Sequence, residues 1–183
     1  MRSLLLQALL KGRAIVTRPT SETEMLSEVA KALADRARRK LGKSLAIREV
    51  DAGSCNGCEL EIGALNNPAY DIERFGLKFV ASPRHADVLL VTGPVTWNMK
   101  EALVRTFAAT PEPKWVVAVG DCARDCGVFA GSPVCVGPVS AVIPVDLHVT
   151  GCPPAPIEIL KGLLALIDAM NAVGARRNWR QAP

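Results

Sequence analysis

Apolar positions along the chain change their spacing twice. Near the start, Leu4, Leu5, Leu6, Leu9 and Leu10 recur as one face of a short helix, and GRAIVTRPT then runs extended into a proline stop. From residue 21, SETEMLSEVAKALADRARRKLGK carries a full set of helix signals. Ser21 and Glu24 form a capping box, acids fill the first turn, bases fill the last, and Gly42 ends the helix. Met25, Leu26, Val29 and Leu33 supply its expected packing stripe.

From Leu45 onward the spacing becomes that of strands alternating with helices. Short apolar or β-branched runs occur at 45–50 (LAIREV), 77–81 (LKFVA), 87–92 (DVLLVT), 115–119 (WVVAV) and 145–149 (VDLHV). Helical patterns fit 58–66, 97–109 and 155–171. Several strands are nearly continuous apolar runs, the pattern of strands covered on both faces in a parallel sheet. The expected fold is therefore α/β: a three-layer open parallel sheet, flavodoxin-like in outline, with an N-terminal helical extension. The expected divisions are an extension with an amphipathic helix (1–43), the α/β domain (44–172) and a basic C-terminal tail (173–183). Internal repeats and low-complexity segments are not visible.

Composition narrows the class. With 183 residues, 49% of them apolar, the chain can close one buried core and is not of the disordered type. Its net charge of +4 is unevenly spread, with Arg36, Arg38, Arg39, Lys40 and Lys43 in one cluster and Arg176, Arg177 and Arg180 in another. Such clusters ordinarily solvate helix ends. Only 4% of residues are aromatic and no basic stretch is interleaved with them, so platforms for stacking bases are missing and no nucleic-acid partner is expected. No segment approaches the roughly 20 apolar residues of a membrane span. The apolar opening lacks a small-residue cleavage site, which favours a cytoplasmic chain; its leucine face suits either docking on the domain or resting on a membrane surface. In a reducing compartment, six cysteines point to metal binding or redox work before structural disulfides.

Placing those cysteines on the strand map supplies the candidate chemistry. Cys55 and Cys58 follow the strand at 45–50, Cys122 follows that at 115–119, and Cys152 follows that at 145–149. Loops leaving the carboxyl ends of parallel strands gather on one edge, where such folds build their sites, so four thiols from three distant segments are expected to converge. Four thiolates suit zinc or a [4Fe-4S] cluster. Structural zinc sites draw on two closely spaced pairs, whereas here one pair is joined by two remote single cysteines, and that spacing leans to iron and sulfur. Glycine or proline accompanies each ligand loop (Gly53 and Gly57, Gly120, Gly151 with Pro153 and Pro154), allowing close approach of backbone N–H groups to sulfur. The competing reading of Cys55 and Cys58 alone is a thioredoxin-like dithiol between strand and helix. Cys126, in GDCARDCGVF, competes as a ligand by its nearness to Cys122, and Cys135, in GSPVCVGP, is placed in a long Gly/Pro-rich loop; both are expected to be spare thiols.

CNGCELEIGALNNPAYDIERFGLKFVASPRHADVLLVTGPVT, VGDCARDCGVF and VTGCPPAPIEILKGLLALI together resemble the small, cluster-bearing subunit of membrane-bound group 4 [NiFe] hydrogenases, including the formate hydrogenlyase type. That subunit is similar to the B subunit of NADH:quinone oxidoreductase (complex I). The resemblance covers about residues 45–170. It implies one [4Fe-4S] cluster on Cys55, Cys58, Cys122 and Cys152, beside a catalytic large subunit, with electrons passing one at a time to a ferredoxin-like iron–sulfur subunit. It also implies membrane subunits and a peripheral position on the cytoplasmic face of the inner membrane. The enzyme activity then belongs to a multi-subunit oxidoreductase whose reaction site lies mainly on the large subunit, so no catalytic residue is expected in this chain. Complex I relatives have two adjacent cysteines where this chain has C-x-x-C, which favours the hydrogenase branch. A complex I-type B subunit, or a relative without the nickel site, is the alternative.

Cys126 stands where the family pattern leads one to expect glycine, so a differently shaped loop after Cys122 is anticipated. With no ferredoxin-like extension after the last helix, one cluster is expected. Among nearby groups, Glu59 and Glu61 are read as helix-start acids with an optional part in proton movement. His85 is read as a loop hydrogen-bonder at the start of a strand, His148 as core-facing, and Arg84 as a partner either of Asp87 or of an acid on the large subunit.

Overall fold

The computed structural model describes residues 20–173. Its strands are β1 (Leu45–Asp51), β2 (Leu77–Phe79), β3 (Val88–Thr92), β4 (Val95–Thr96), β5 (Trp115–Val119), β6 (Cys135–Gly137) and β7 (Leu147–Val149). The α-helices are α1 (Thr20–Leu41), α2 (Gly57–Ala64), α3 (Trp97–Ala109), α4 (Asp121–Asp125) and α5 (Pro156–Val173). Five strands form one sheet in the order β2-β1-β3-β5-β7, every pairing parallel. The chain therefore reverses its direction of travel across the sheet between β1 and β3. Just outside the carboxyl edge at such a reversal is where open α/β sheets leave a crevice.

Alternation along the central strands divides the core into two layers. Val88 and Leu90 of β3, with Trp115, Val117 and Val119 of β5, pack on the side covered by α1, α2 and α5, together with Leu33, Ile62, Ile159 and Leu163. Their neighbours Leu89 and Val91, with Val116 and Ala118, face the opposite side, where Leu103 of α3 and Ala123 of α4 meet them. All ten residues of β3 and β5 are buried. Each strand thus uses both faces, as the unbroken apolar runs in the sequence require.

Three local features differ from the sequence expectation. The buried stripe of α1 runs through Ala30, Leu33 and Ala37, while Met25 is exposed, because the helix reaches the core only from Val29 onward. His148 is exposed and not core-facing. It lies on β7, the edge strand, whose inward position is taken by the buried Val149 beside Gly162 of α5. Cys135 belongs to a short antiparallel ladder in which β6 pairs with β4, not to an unstructured loop. The capping box at Ser21 and Glu24 involves side chains outside those described, and the N-terminal leucine face and basic tail lie outside the described residues.

Candidate functional site

The three cysteine-bearing loops meet at the carboxyl edge of the sheet, and each is shaped by its own residues. After β1, the Asp51 carboxylate accepts hydrogen bonds from the backbone N–H of Gly53 (2.8 Å) and of Ser54 (2.7 Å), closing an Asx turn. Ser54 Oγ then accepts from the N–H of Asn56 at 3.1 Å, and Asn56 takes a left-handed conformation that launches α2. Cys55 lies in this turn and Cys58 within the first turn of α2. The other two loops are clasped to each other. Asp121 N–H donates to Gly151 O at 2.9 Å, and Gly151 N–H donates to Asp121 Oδ1 at 3.1 Å. Cys122 and Cys152 are therefore held on two loops tied to each other.

Close approach of backbone to sulfur fixes how these loops fit. A Cβ at Gly120 would lie 2.6 Å from Cys58 Sγ and 3.5 Å from Gly151 O, so the three cysteine-bearing loops meet at this point. Gly120 has φ 90 and ψ 159, a region open essentially to glycine alone. A Cβ at Gly127 would lie 3.1 Å from Cys122 Sγ, and one at Gly57 would lie 3.5 Å from Cys55 Sγ and 3.9 Å from Pro153 Cβ. Glycine hydrogens thus form the wall of the sulfur cradle.

Electrostatics give the same grouping. The Cys58 thiol is pushed up to about 12, first by burial, then by the charge of Glu59 and by Cys122, Cys55 and Cys152. Cys122 is also raised, by burial first and then by Cys152, with the Val128 N–H acting the other way and Cys55 adding to the rise. Anionic sulfurs this close repel one another, which is the electrostatic condition a cationic metal centre reverses. Cys126 stands apart: burial raises its thiol, and the next influence is Cys135, not the group of four. Its φ of 72 is the left-handed backbone that glycine favours, so the loop keeps a glycine-like turn despite the side chain.

The cradle is open on one side. Cys122 is buried and Cys58 half-buried, whereas Cys55 and Cys152 are exposed. Leu60 on α2 and Val128 beside Cys122 project nearby with 67% and 80% of their surface exposed, large values for apolar side chains. Among the described residues, no group of three or more His, Cys, Asp or Glu side chains lies close enough to hold a single metal ion.

Carboxylates lie behind Cys58. Both Glu59 oxygens and Glu49 Oε1 are buried without a hydrogen-bond partner. Glu49 is raised from 4.5 to about 7, mostly by burial, then by Glu59 and Asp51, with Arg48 opposing. It lines a cleft of about 270 Å³ with Arg48, Asn66 and Phe79. The sequence reading singled out Glu59 but missed Glu49, whose available signal was a charged pair, Arg48–Glu49, inside an otherwise apolar strand. Arg84 does not pair with Asp87: Lys43 Nζ takes Asp87 Oδ1 at 2.7 Å, and the Ala46 N–H takes Oδ2 at 3.0 Å. His85 lies in a 3-10 turn at Pro83–His85, ahead of β3.

Residues 55–166 match the family described as NADH ubiquinone oxidoreductase, 20 Kd subunit. Over 130 residues the chain is 48% identical to the Pyrococcus furiosus protein named "Probable membrane-bound hydrogenase subunit mbhJ", covering 71% of this chain and 78% of that one. It is 43% identical over 133 residues to formate hydrogenlyase subunit 7 of Escherichia coli, covering 73% of this chain and about half (52%) of that one. A solved chain of the membrane-bound sulfane sulfur reductase, an archaeal respiratory membrane complex, superposes with a TM-score of 0.65 at 32% identity, covering 78% of each chain.

Proposed function

The chain belongs to the NADH ubiquinone oxidoreductase 20 Kd subunit family, and from that premise we propose that it is the electron-transfer subunit of a membrane-associated oxidoreductase complex of the hydrogenase or formate hydrogenlyase type. It carries one [4Fe-4S] cluster on Cys55, Cys58, Cys122 and Cys152. The observation that bears most weight is the place of Gly120 between Cys58 Sγ on one side and the Gly151 carbonyl on the other, which brings the three cysteine-bearing loops together. Bound there, such a cluster accepts and donates single electrons. The protein's share is to hold four thiolates, to keep Cβ atoms out of the sulfur wall, and to bury the Cys122 side while leaving the Cys55 and Cys152 side open.

That open side, flanked by Leu60 and Val128, suits a catalytic large subunit, which would cover the exposed thiols and apolar side chains on docking. A ferredoxin-like subunit is the proposed electron partner. No described helix is long and apolar enough to cross a membrane, so attachment through membrane subunits, on the cytoplasmic face, completes the proposal. The C-x-x-C spacing of Cys55 and Cys58 supports the hydrogenase branch. The family description and the sulfane sulfur reductase likeness support a second reading, in which the same kind of subunit serves a complex without a nickel site. Two C-x-x-C pairs in the accompanying large subunit would decide for the first.

Metal analysis of the anaerobically purified chain tests the cofactor. Four irons and four acid-labile sulfides per chain are expected; one zinc, or no metal, would refute the proposal.

A further inference from the structure

At the amino edge of the sheet, opposite the cysteines, lies a cleft of about 480 Å³ lined by Lys43, Ser44, Lys78, Arg84 and His85, with Ala46 and Pro111 closing it. Four elements bring these side chains together: the link from α1 into β1, β2, the 3-10 turn before β3, and the loop before β5. Asp87 is the acid beside it, and both its oxygens are already engaged, by Lys43 and by the Ala46 N–H. Its one negative charge offsets Lys43. Lys78 and Arg84 have no ion pair or side-chain hydrogen bond among the described residues. Two uncompensated cations therefore share one concavity with a hydroxyl and an imidazole, and a lone surface charge run does not produce such convergence.

We propose that this cleft binds a phosphate group. A phosphate carries nearly two negative charges and three acceptor oxygens. Arg84 presents a planar fork that can take two of those oxygens, Lys78 a point charge, and Ser44 a neutral donor. A purely apolar ligand is disfavoured, because five of the seven lining residues carry polar or charged side chains. The phosphate can be that of a soluble phosphorylated molecule or of an anionic lipid headgroup. The site is independent of the cysteine cradle, so it stands or falls without the cluster assignment.

Two probes separate the sources: inorganic pyrophosphate, followed by titration calorimetry of the full chain, and phosphatidylcholine vesicles with and without phosphatidic acid, followed by co-sedimentation. The variants are Lys78→Gln and Arg84→Gln, both exposed positions, and Lys161→Gln on α5 as control. Saturable binding of one probe is expected, weakened about tenfold by either cleft variant at unchanged unfolding temperature, and unaltered in the control. Binding of pyrophosphate identifies a soluble ligand; binding only to acidic vesicles identifies a headgroup. Absence of saturable binding to both probes, or equal binding by all variants, overturns the proposal.

Discussion

Replacing Gly120 by alanine tests the cradle at its tightest point. Two costs arise together. The backbone at φ 90 and ψ 159 is nearly forbidden to a residue with a Cβ, which costs about 1–3 kcal/mol. The new methyl carbon would also sit 2.6 Å from Cys58 Sγ, about 1 Å inside a normal contact, so the Cys58 loop and the clasped Gly120–Gly151 frame must part. Gly131→Ala is the matched control, since Gly131 has φ 80 but nothing within 4 Å of an added Cβ. It bears the left-handed backbone cost alone, about 1–2 kcal/mol. Both variants are expected to unfold at lower temperature, Gly120→Ala by more. Only Gly120→Ala is expected to lose iron and the paramagnetic signal of the reduced cluster. If both variants retain wild-type iron and signal, Cys58 is not pinned against Gly120, and the cradle described above is wrong.

Two further predictions concern groups away from the sulfurs. Glu49 titrates near 7 in the folded chain against 4.5 ordinarily, so the folded state binds its proton more tightly. Its contribution is present below about pH 4.5 and is lost as the pH rises through 7, by about 1–2 kcal/mol once its partial exposure is allowed for. Glu49→Gln should flatten that slope in unfolding midpoints measured from pH 4.5 to 8; an unchanged slope would contradict the assignment. Lys114 Nζ donates to the carbonyls of Phe107 (2.7 Å) and Thr110 (3.1 Å) at the end of α3, and lies 4.1 Å from the Phe107 ring centroid. Lys114→Met should destabilise the chain by about 2 kcal/mol in denaturant titrations, and a change below about 0.5 kcal/mol would show that cap to be idle.

Much of the frame was legible because burial on both faces writes itself as unbroken apolar runs: VLLVT and WVVAV became β3 and β5 with every residue buried. Parallel topology then follows from strand and helix alternation, and it carries Cys55, Cys58, Cys122 and Cys152 to one edge. Short elements were not legible. Val95–Thr96 and Cys135–Gly137 are held by pairing with each other, a non-local contact too brief to leave a periodic signal. His148 was misjudged because edge and central strands look alike in sequence, and the outer face of β7 is open. The Gly120 contact with Cys58 was equally hidden: glycine beside a cysteine in a loop announces close approach but not which sulfur is approached. Arg84 lost Asp87 to Lys43, since the first residues before β1 reach the carboxylate that also caps the Ala46 N–H.

The most direct test of the central claim is the paramagnetic spectrum of the reduced protein after single Cys→Ser replacement at all six positions. Loss of the native signal and of iron is expected at Cys55, Cys58, Cys122 and Cys152, with both retained at Cys126 and Cys135. A signal that persists without Cys122 but vanishes without Cys126, or that survives removal of any of the four, would contradict it.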